Sequence, residues 1–358
     1  MTNSDRLEFP SGAQLAYLAE GGANVIYRII WAPAAARPKQ KDAAPSKEQM
    51  SIPPMLRGKL LRLRKETKAG ISYQEISHNF NRIIQPLFQP EEVVDQTLVQ
   101  LPTGLVQQCN ERLRAAELNG TRPRRRYGVY LSLNEPFGLL VTDMTTFSDP
   151  GMIMAELKPK WLLQSPSAPL DARRCRTCAL RDMKNNESRK ACGSEDKSVC
   201  PLSLVSDKFE HVLRATRFVE GCKDQDRLAR FLHRNSTLIK LQAYQKTMRD
   251  VGLHGQSAQS REKSLAMTLR DCTMFIKVAL STLAYHFVTN CAQMPLDGEG
   301  PMEVRLGDLD LKTGAGGKAQ YWLELENRLI SQGWYLGTNC GQTSSECLLQ
   351  GPSKHSQQ

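Results

Sequence analysis

The stretch Gln14-Leu15-Ala16-Tyr17-Leu18-Ala19-Glu20-Gly21-Gly22-Ala23-Asn24-Val25-Ile26-Tyr27-Arg28-Ile29-Ile30-Trp31 sets the reading of the whole chain. Residues 14–19 and 25–31 are rich in aliphatic and aromatic side chains, which predicts two strands. Glu20 to Asn24 joins them as a glycine-bearing turn. Residues 32–54 carry Pro33, Pro38, Pro45, Pro53 and Pro54 among Ala and Lys, the composition of a flexible insertion. Gly58 to Leu63 predicts a third strand, bearing Lys59 and Arg62. An amphipathic helix follows, with Tyr73, Ile76, Phe80, Ile83 and Ile84 at helical spacing and Pro86 at its end. Strand, glycine turn, strand and a cationic strand form an order suited to covering phosphates with backbone N–H groups and a positive side chain.

Downstream, strands are predicted at Tyr127–Leu133, Phe137–Val141, Met152–Leu157, Cys272–Val278 and Val304–Leu311. Residues 206–251 have mainly helical periodicity, and a last helix spans about 318–332 after Gly314, Gly316 and Gly317. The expected class is α+β: a two-lobed fold, with a glycine-turn lobe over 1–147 and a larger mixed lobe over 148–358. On a strand, Asp308-Leu309-Asp310-Leu311-Lys312 would place Asp308, Asp310 and Lys312 on one face. Carboxylates there suit Mg²⁺, with the lysine on the phosphate that the metal bridges.

The formal charge of +11 calls for an anionic partner. Basic residues cluster at Arg57–Lys68, at Arg122, Arg124, Arg125 and Arg126, and at Arg173–Lys184. Aromatics are 6% of the chain and are not interleaved with these runs, which argues against a base-stacking nucleic-acid surface. No apolar run approaches the length of a membrane span, and Met1–Arg6 lacks a secretory pattern, so nucleus or cytoplasm is expected. Of ten cysteines, Cys175, Cys178, Cys192 and Cys200 fall in one window. The two-residue spacing of Cys175 and Cys178 suits one tetrahedral Zn²⁺, with Cys192 and Cys200 completing the set. The alternative is a set of reduced thiols, although the surrounding segment is strongly polar.

Glu20-Gly21-Gly22-Ala23-Asn24, Gly58-Lys59-Leu60-Leu61-Arg62, Glu156-Leu157-Lys158-Pro159-Lys160, Cys175-Arg176-Thr177-Cys178, Cys200-Pro201-Leu202-Ser203-Leu204, Arg270-Asp271-Cys272 and Asp308-Leu309-Asp310-Leu311-Lys312 occur in a telling order. In that order and spacing the chain resembles the inositol-pentakisphosphate 2-kinase family, as a shortened fungal-type member. The resemblance implies a monomeric kinase that uses ATP and Mg²⁺ to phosphorylate the 2-hydroxyl of inositol pentakisphosphate. By position, Gly21, Gly22, Ala23, Asn24 and Arg62 would meet the ATP phosphates, Asp143 the adenine segment and Glu156 the nucleoside. Lys158 would lie between the transferring phosphoryl group and its acceptor, with Asp271 near the acceptor hydroxyl and Asp308 on Mg²⁺. Arg126, Lys160, Lys184 and Lys312 would grip substrate phosphates. Two departures stand out. Ala19 replaces the family's first glycine, and Asp226 and Arg227 replace its paired asparagines.

Two rival readings differ in class. Asp310-x-Lys312-x-Gly314 echoes another inositol polyphosphate kinase signature, but Leu306 stands where that signature has proline. A basic, zinc-containing nucleic-acid binder would account for charge and cysteines, yet leaves Glu156-Leu157-Lys158-Pro159-Lys160 without a purpose.

Overall fold

The computed structural model describes residues 7–31, 52–67, 71–147, 151–192, 198–252, 260–279, 302–312, 314, 318–338 and 346–350. Most of the expected insertion, residues 32–51, lies outside them. Contacts divide the chain into two compact units, Met1–Pro90 with Val94–Asp143, and Glu91–Val93 with Met144–Gln358.

The first unit is built on an antiparallel sheet of five strands in the order β1-β2-β3-β5-β4. Its strands are β1 (Ala13–Glu20), β2 (Asn24–Trp31), β3 (Lys59–Arg64), β4 (Gln96–Gln100) and β5 (Phe137–Thr142). Alternation sorts the side chains between two faces. Val25, Tyr27, Leu61, Leu63, Val99 and Leu140 form one core with Cys109 and Leu113 of helix α2 (Leu105–Leu118). Leu60, Leu139 and Val141 form the other, with Tyr73 and Ile76 of α1 (Tyr73–Asn79). Ser72 caps α1 by accepting the Glu75 N–H. The helical run then widens to a π turn at Phe80–Ile84 and tightens to a 3₁₀ turn at Gln85–Leu87, where Pro86 supplies no N–H. Between β1 and β2 the pairing passes from Tyr17↔Tyr27 to Ala19↔Ile26, a bulge at Leu18 just before the glycine turn.

The expected strand Tyr127–Leu133 does not form. Arg124–Arg126 is a 3₁₀ turn, Gly128 has φ +75°, and only Leu131 bridges to Lys65. The Asn110 amide takes the place of a ladder neighbour: it donates to Leu131 O at 3.0 Å and accepts from Leu131 N at 2.8 Å. The β4 strand and α2 had no clear periodic signal in the sequence.

The second unit carries a three-stranded antiparallel sheet in the order β6-β7-β8, namely Met152–Leu157, Thr273–Ala279 and Met302–Gly307. Helices α3 (Arg176–Cys192), α4 (Pro201–Leu204), α5 (Phe209–Thr216), α6 (Gln225–Leu232), α7 (Ser236–Thr247), α8 (Arg261–Leu269) and α9 (Lys318–Ser331) belong to it. Met274, Ile276 and Val278 of the central strand are fully buried. Gly221, with φ +94°, is required where its segment crosses β6, since a Cβ there would lie 2.0 Å from Met154 O. The strand expected over Val304–Leu311 stops at Gly307, because Asp308 turns the backbone with φ +55°. Asp308, Asp310 and Lys312 therefore do not share a strand face. Among the described residues no helix is long and apolar enough to cross a membrane.

Candidate active site

Strand β6 runs into Lys158-Pro159-Lys160, with Glu156 and Lys158 exposed while Leu157 and Pro159 are buried. Asp271 sits between α8 and β7, and Asp308 directly follows β8. Adjacent strands thus deliver these residues to one end of the sheet. Lys160 and Lys312 both donate to the Asp271 carboxylate, Lys312 at 2.6 Å. Asp308 lies 3.6 Å from Lys158 Nζ and 3.7 Å from Lys312 Nζ. The result is three ammonium groups interleaved with two carboxylates, all partly open to solvent.

Burial would raise the Asp271 carboxyl, but the hydrogen bonds from Lys160 and Lys312 outweigh it and hold it below the usual carboxylate range. Burial would lower the Lys312 ammonium, but the charges of Asp308 and Asp271 raise it above its ordinary value. Both groups stay charged at neutral pH. Lysines at such spacing suit phosphate oxygens, and Asp308 presents a half-exposed carboxylate to which a hard cation can bind.

The backbone here is held in unusual conformations. Lys160 and Asp308 have φ of +56° and +55°, values uncommon for side chains other than glycine and sustained only by surrounding structure. Gln245 of α7, buried at 2% exposure, supplies part of that support. Its Nε2 donates to Lys160 O and Leu269 O, both at 2.9 Å, and its Oε1 accepts from Leu162 N at 2.8 Å. Trp161 lies under two guanidinium groups, Arg270 at 4.2 Å and Arg176 at 4.6 Å from its ring centroid. Arg270 also donates to Val251 O and Met248 O, while Arg176 binds the fully buried Glu326 at 2.7 Å. Burial, then the nearby Arg176 charge, brings Arg270 down to about 10. Sequence reasoning missed Gln245 and Trp161. A glutamine on the same helix face as Leu238 and Leu241 was the available signal, since an apolar stripe holds a polar side chain only for a purpose.

Lys184 lies exposed on α3, and among the described residues it forms no ion pair with this cluster. At the two positions where the resemblance leads one to expect asparagines, Arg227 turns inward to donate to Ala279 O at 2.5 Å, and Asp226 pairs with Arg230 on the surface.

In the first unit, Gly21 and Gly22 form a bare turn: a Cβ on either would meet open space. Asn24 lies between Tyr73 and Arg62. With its amide oxygen towards Arg62 it accepts from Nη2 at 2.8 Å, while its nitrogen donates to the Ala23 carbonyl and the Tyr73 hydroxyl. Beneath the turn, Glu20 accepts from Arg122 at 2.8 and 2.9 Å and pairs with Lys65, all three being buried. Lys65 also donates to Gly21 O at 2.9 Å. Burial would raise the Glu20 carboxyl, but bonds from Arg122 and Lys65 bring it to about 2. Lys59 is paired with Asp95 at 2.7 Å. Asp143 donates its N–H to Gly58 O at 2.8 Å, and Arg126 ends the 3₁₀ turn at Arg124–Arg126.

A second cluster in the larger unit is made of sulfur. Cys175, Cys178, Cys200 and Cys347 are buried, with their Sγ atoms all within 4.8 Å of one another. Cys347 was not in the expected set. Cys192 instead closes α3, its backbone about 20 Å along the helix axis from Cys178.

The inositol-pentakisphosphate 2-kinase family model matches residues 17–219 and 221–328 of this chain, so it reaches into both units and includes every residue of the Lys–Asp cluster. The chain belongs to this family. The inositol-pentakisphosphate 2-kinase of Yarrowia lipolytica is 30% identical over 305 residues, covering 78% of this chain and 88% of the relative. That of Debaryomyces hansenii is 25% identical over 344 residues, covering 77% and 85%. Family membership makes the chain one of a group of phosphotransferases, and the Lys–Asp cluster has the charges that such chemistry requires.

Proposed function

We propose that this protein transfers the γ-phosphoryl group of ATP to the 2-hydroxyl of inositol 1,3,4,5,6-pentakisphosphate, giving inositol hexakisphosphate. The observation that carries this reading is the convergence of Lys158, Lys160 and Lys312 on Asp271 and Asp308. Each phosphate monoester brings about −1.5 to −2 charges at neutral pH, so a polyphosphate needs several cations at short range. Phosphoryl transfer rests mainly on positioning and on cancelling charge as it develops.

In this reading Lys158 stabilises the group in flight, and Lys160 and Lys312, with Arg126 and Lys184, bind substrate phosphates. Asp308 would hold Mg²⁺, which would supply positive charge to offset that of the nucleotide phosphates. Gly21, Gly22, Ala23, Asn24 and Arg62 meet the nucleotide phosphates, with Asp143 and Glu156 on the nucleoside. Asp271 keeps its charge because two lysines donate to it, which makes it a weak base. Its role is to orient the acceptor hydroxyl and to hold both lysines apart until phosphates take them. An ATP assay over a panel of inositol phosphates, with product positions assigned by NMR, tests the proposal. Transfer to the 2-position of the pentakisphosphate is the expected result, and transfer only to less phosphorylated inositols would assign the chain to another inositol polyphosphate kinase activity.

A further inference from the structure

Gly21 and Gly22 are not required by the fold itself. Neither has a positive φ, and a Cβ on either would meet open space. A bare turn that its own chain does not need suits the close approach of something outside the chain. The Gly21 N–H is taken by Asn24 O at 2.9 Å. Among the described residues, the N–H groups of Gly22 and Ala23 reach no backbone carbonyl, so both can meet a ligand.

The carbonyls of the same turn are held from inside by one residue. Lys65, directly after β3 and fully buried, donates from Nζ to Gly21 O at 2.9 Å and from its backbone N–H to Ala23 O at 2.8 Å. The peptide bonds are trans, so a C=O and the N–H that follows it point in opposite directions across one plane. Drawing Gly21 O inward onto Lys65 therefore aims the Gly22 N–H outward. Lys65 is itself fixed. It pairs with Glu20, which accepts from Arg122 at 2.8 and 2.9 Å. Arg122 pairs in turn with Glu117 and donates to Val129 O at 2.6 Å. Glu117, near the end of α2, also accepts from Gly128 N at 3.2 Å and from the Tyr130 hydroxyl at 2.7 Å. Lys65 and Arg122 balance Glu20 and Glu117, so the network places no net charge beneath the turn.

We propose that Lys65 is a positioning residue for nucleotide binding: by holding Gly21 O inward, it keeps the Gly22 N–H directed at the nucleotide phosphates. The inference rests on the reading, given above, that this turn meets ATP. Lys65 makes no contact with the nucleotide, because its ammonium is closed off from solvent and neutralised by Glu20. Its part is geometric. Without the ammonium, Gly21 O has no anchor, the peptide between Gly21 and Gly22 can rotate, and the outward N–H is presented only part of the time.

The test is titration of the full chain with a non-hydrolysable ATP analogue and, separately, with adenosine, which carries no phosphate. Lys65→Met should weaken the analogue about tenfold, as for a turn that holds its binding form a tenth of the time, and leave adenosine affinity unchanged. The substitution also takes a counter-charge from buried Glu20, so Lys65→Met/Glu20→Gln serves as the second variant. It should regain thermal stability yet bind the analogue as weakly as Lys65→Met. Full analogue affinity in the double variant, or an equal loss for adenosine and analogue, would mean that Lys65 only supports the fold, and the inference would fail. Gly22→Val tests the reading beneath it. Its side chain would occupy open space, so the protein should fold and the analogue should bind more weakly. Full affinity in Gly22→Val would show that the turn does not meet the phosphates, which removes the reading and the inference together. A weakened Gly22→Val beside an unaffected Lys65→Met would remove the inference alone.

Discussion

Lys160 and Asp271, 111 residues apart, form an ion pair whose two chain segments are tied by one glutamine, Gln245. The ion pair is partly open to solvent, whereas the glutamine is closed off from it. Geometry at the candidate site is therefore set from below, and the charges above can exchange their partners for ligand without loss of the backbone arrangement.

Gln245→Met should make this plain. The substitution keeps the side-chain length but leaves Lys160 O, Leu269 O and Leu162 N without their partner. A loss of about 2–4 kcal/mol follows from buried polar groups left unpaired. Thermal unfolding should report a clearly lower Tm, and any folded enzyme should show reduced kcat/KM, because Lys160 loses its anchored carbonyl.

Asp271 links charge to stability. Its carboxyl is depressed in the folded protein, so its contribution is complete above the ordinary carboxylate value of about 3.9. The contribution is lost as the pH falls below that, through the folded value. Asp271→Asn should cost about 1 kcal/mol at neutral pH, after allowance for solvent screening of a partly exposed group. The gap between wild type and variant should close in acid. Inositol pentakisphosphate should restore more stability to the variant than to the wild type, since its phosphates relieve the two uncovered lysines. Denaturant titrations at several pH values check both points.

Chemistry should respond at Asp308 and Lys158. Asp308→Asn should abolish Mg²⁺-dependent turnover, and Lys158→Met should lower kcat by about 10²–10³, the scale of one lost transition-state partner. An Asp308→Asn enzyme with near-normal rates would remove the kinase assignment.

Lys312→Ala and Lys184→Ala separate a polyphosphate site from a nucleic-acid surface. Each should raise KM for the inositol phosphate while ATP affinity changes less. Isothermal titration should show binding weakened by salt, with excess duplex DNA a poor competitor. DNA that binds tightly and is not displaced by the inositol phosphate would favour an open basic surface, whose salt slope tracks the phosphates contacted.

Glu20 offers a test in the first unit. Its carboxyl titrates at about 2 against an ordinary value of 4.5. The stability it confers is complete above the ordinary value and lost as the pH falls towards the folded one. Glu20→Gln should destabilise at neutral pH by on the order of 3 kcal/mol, because it leaves the buried Arg122 and Lys65 without their counter-charge. Fluorescence-monitored acid unfolding should show the difference shrinking between those two pH values.

What the sequence determined by itself is local. Strands at 14–19 and 25–31 follow from strand-favouring residues on either side of a glycine turn, and the structure extends them to 13–20 and 24–31. The pairing of Cys175 with Cys178 follows from a two-residue spacing. The charged residues that meet near Asp271 were also nameable, through motifs each held within a few neighbouring positions. Tertiary structure alone decided how far strand β8 runs, because the φ of Asp308 answers to its surroundings and not to the alternation of Leu309 and Leu311. It likewise limited the strand expected over Tyr127–Leu133 to one bridge at Leu131, whose two backbone groups are bound by an amide on α2. Cys347 joins Cys175 from 172 residues away, and Gln245 reaches Lys160 from 85. Periodicity and spacing report torsions and neighbours along the chain. Which distant donor fills a buried position depends on how the whole chain closes, and no short stretch of residues encodes that closure.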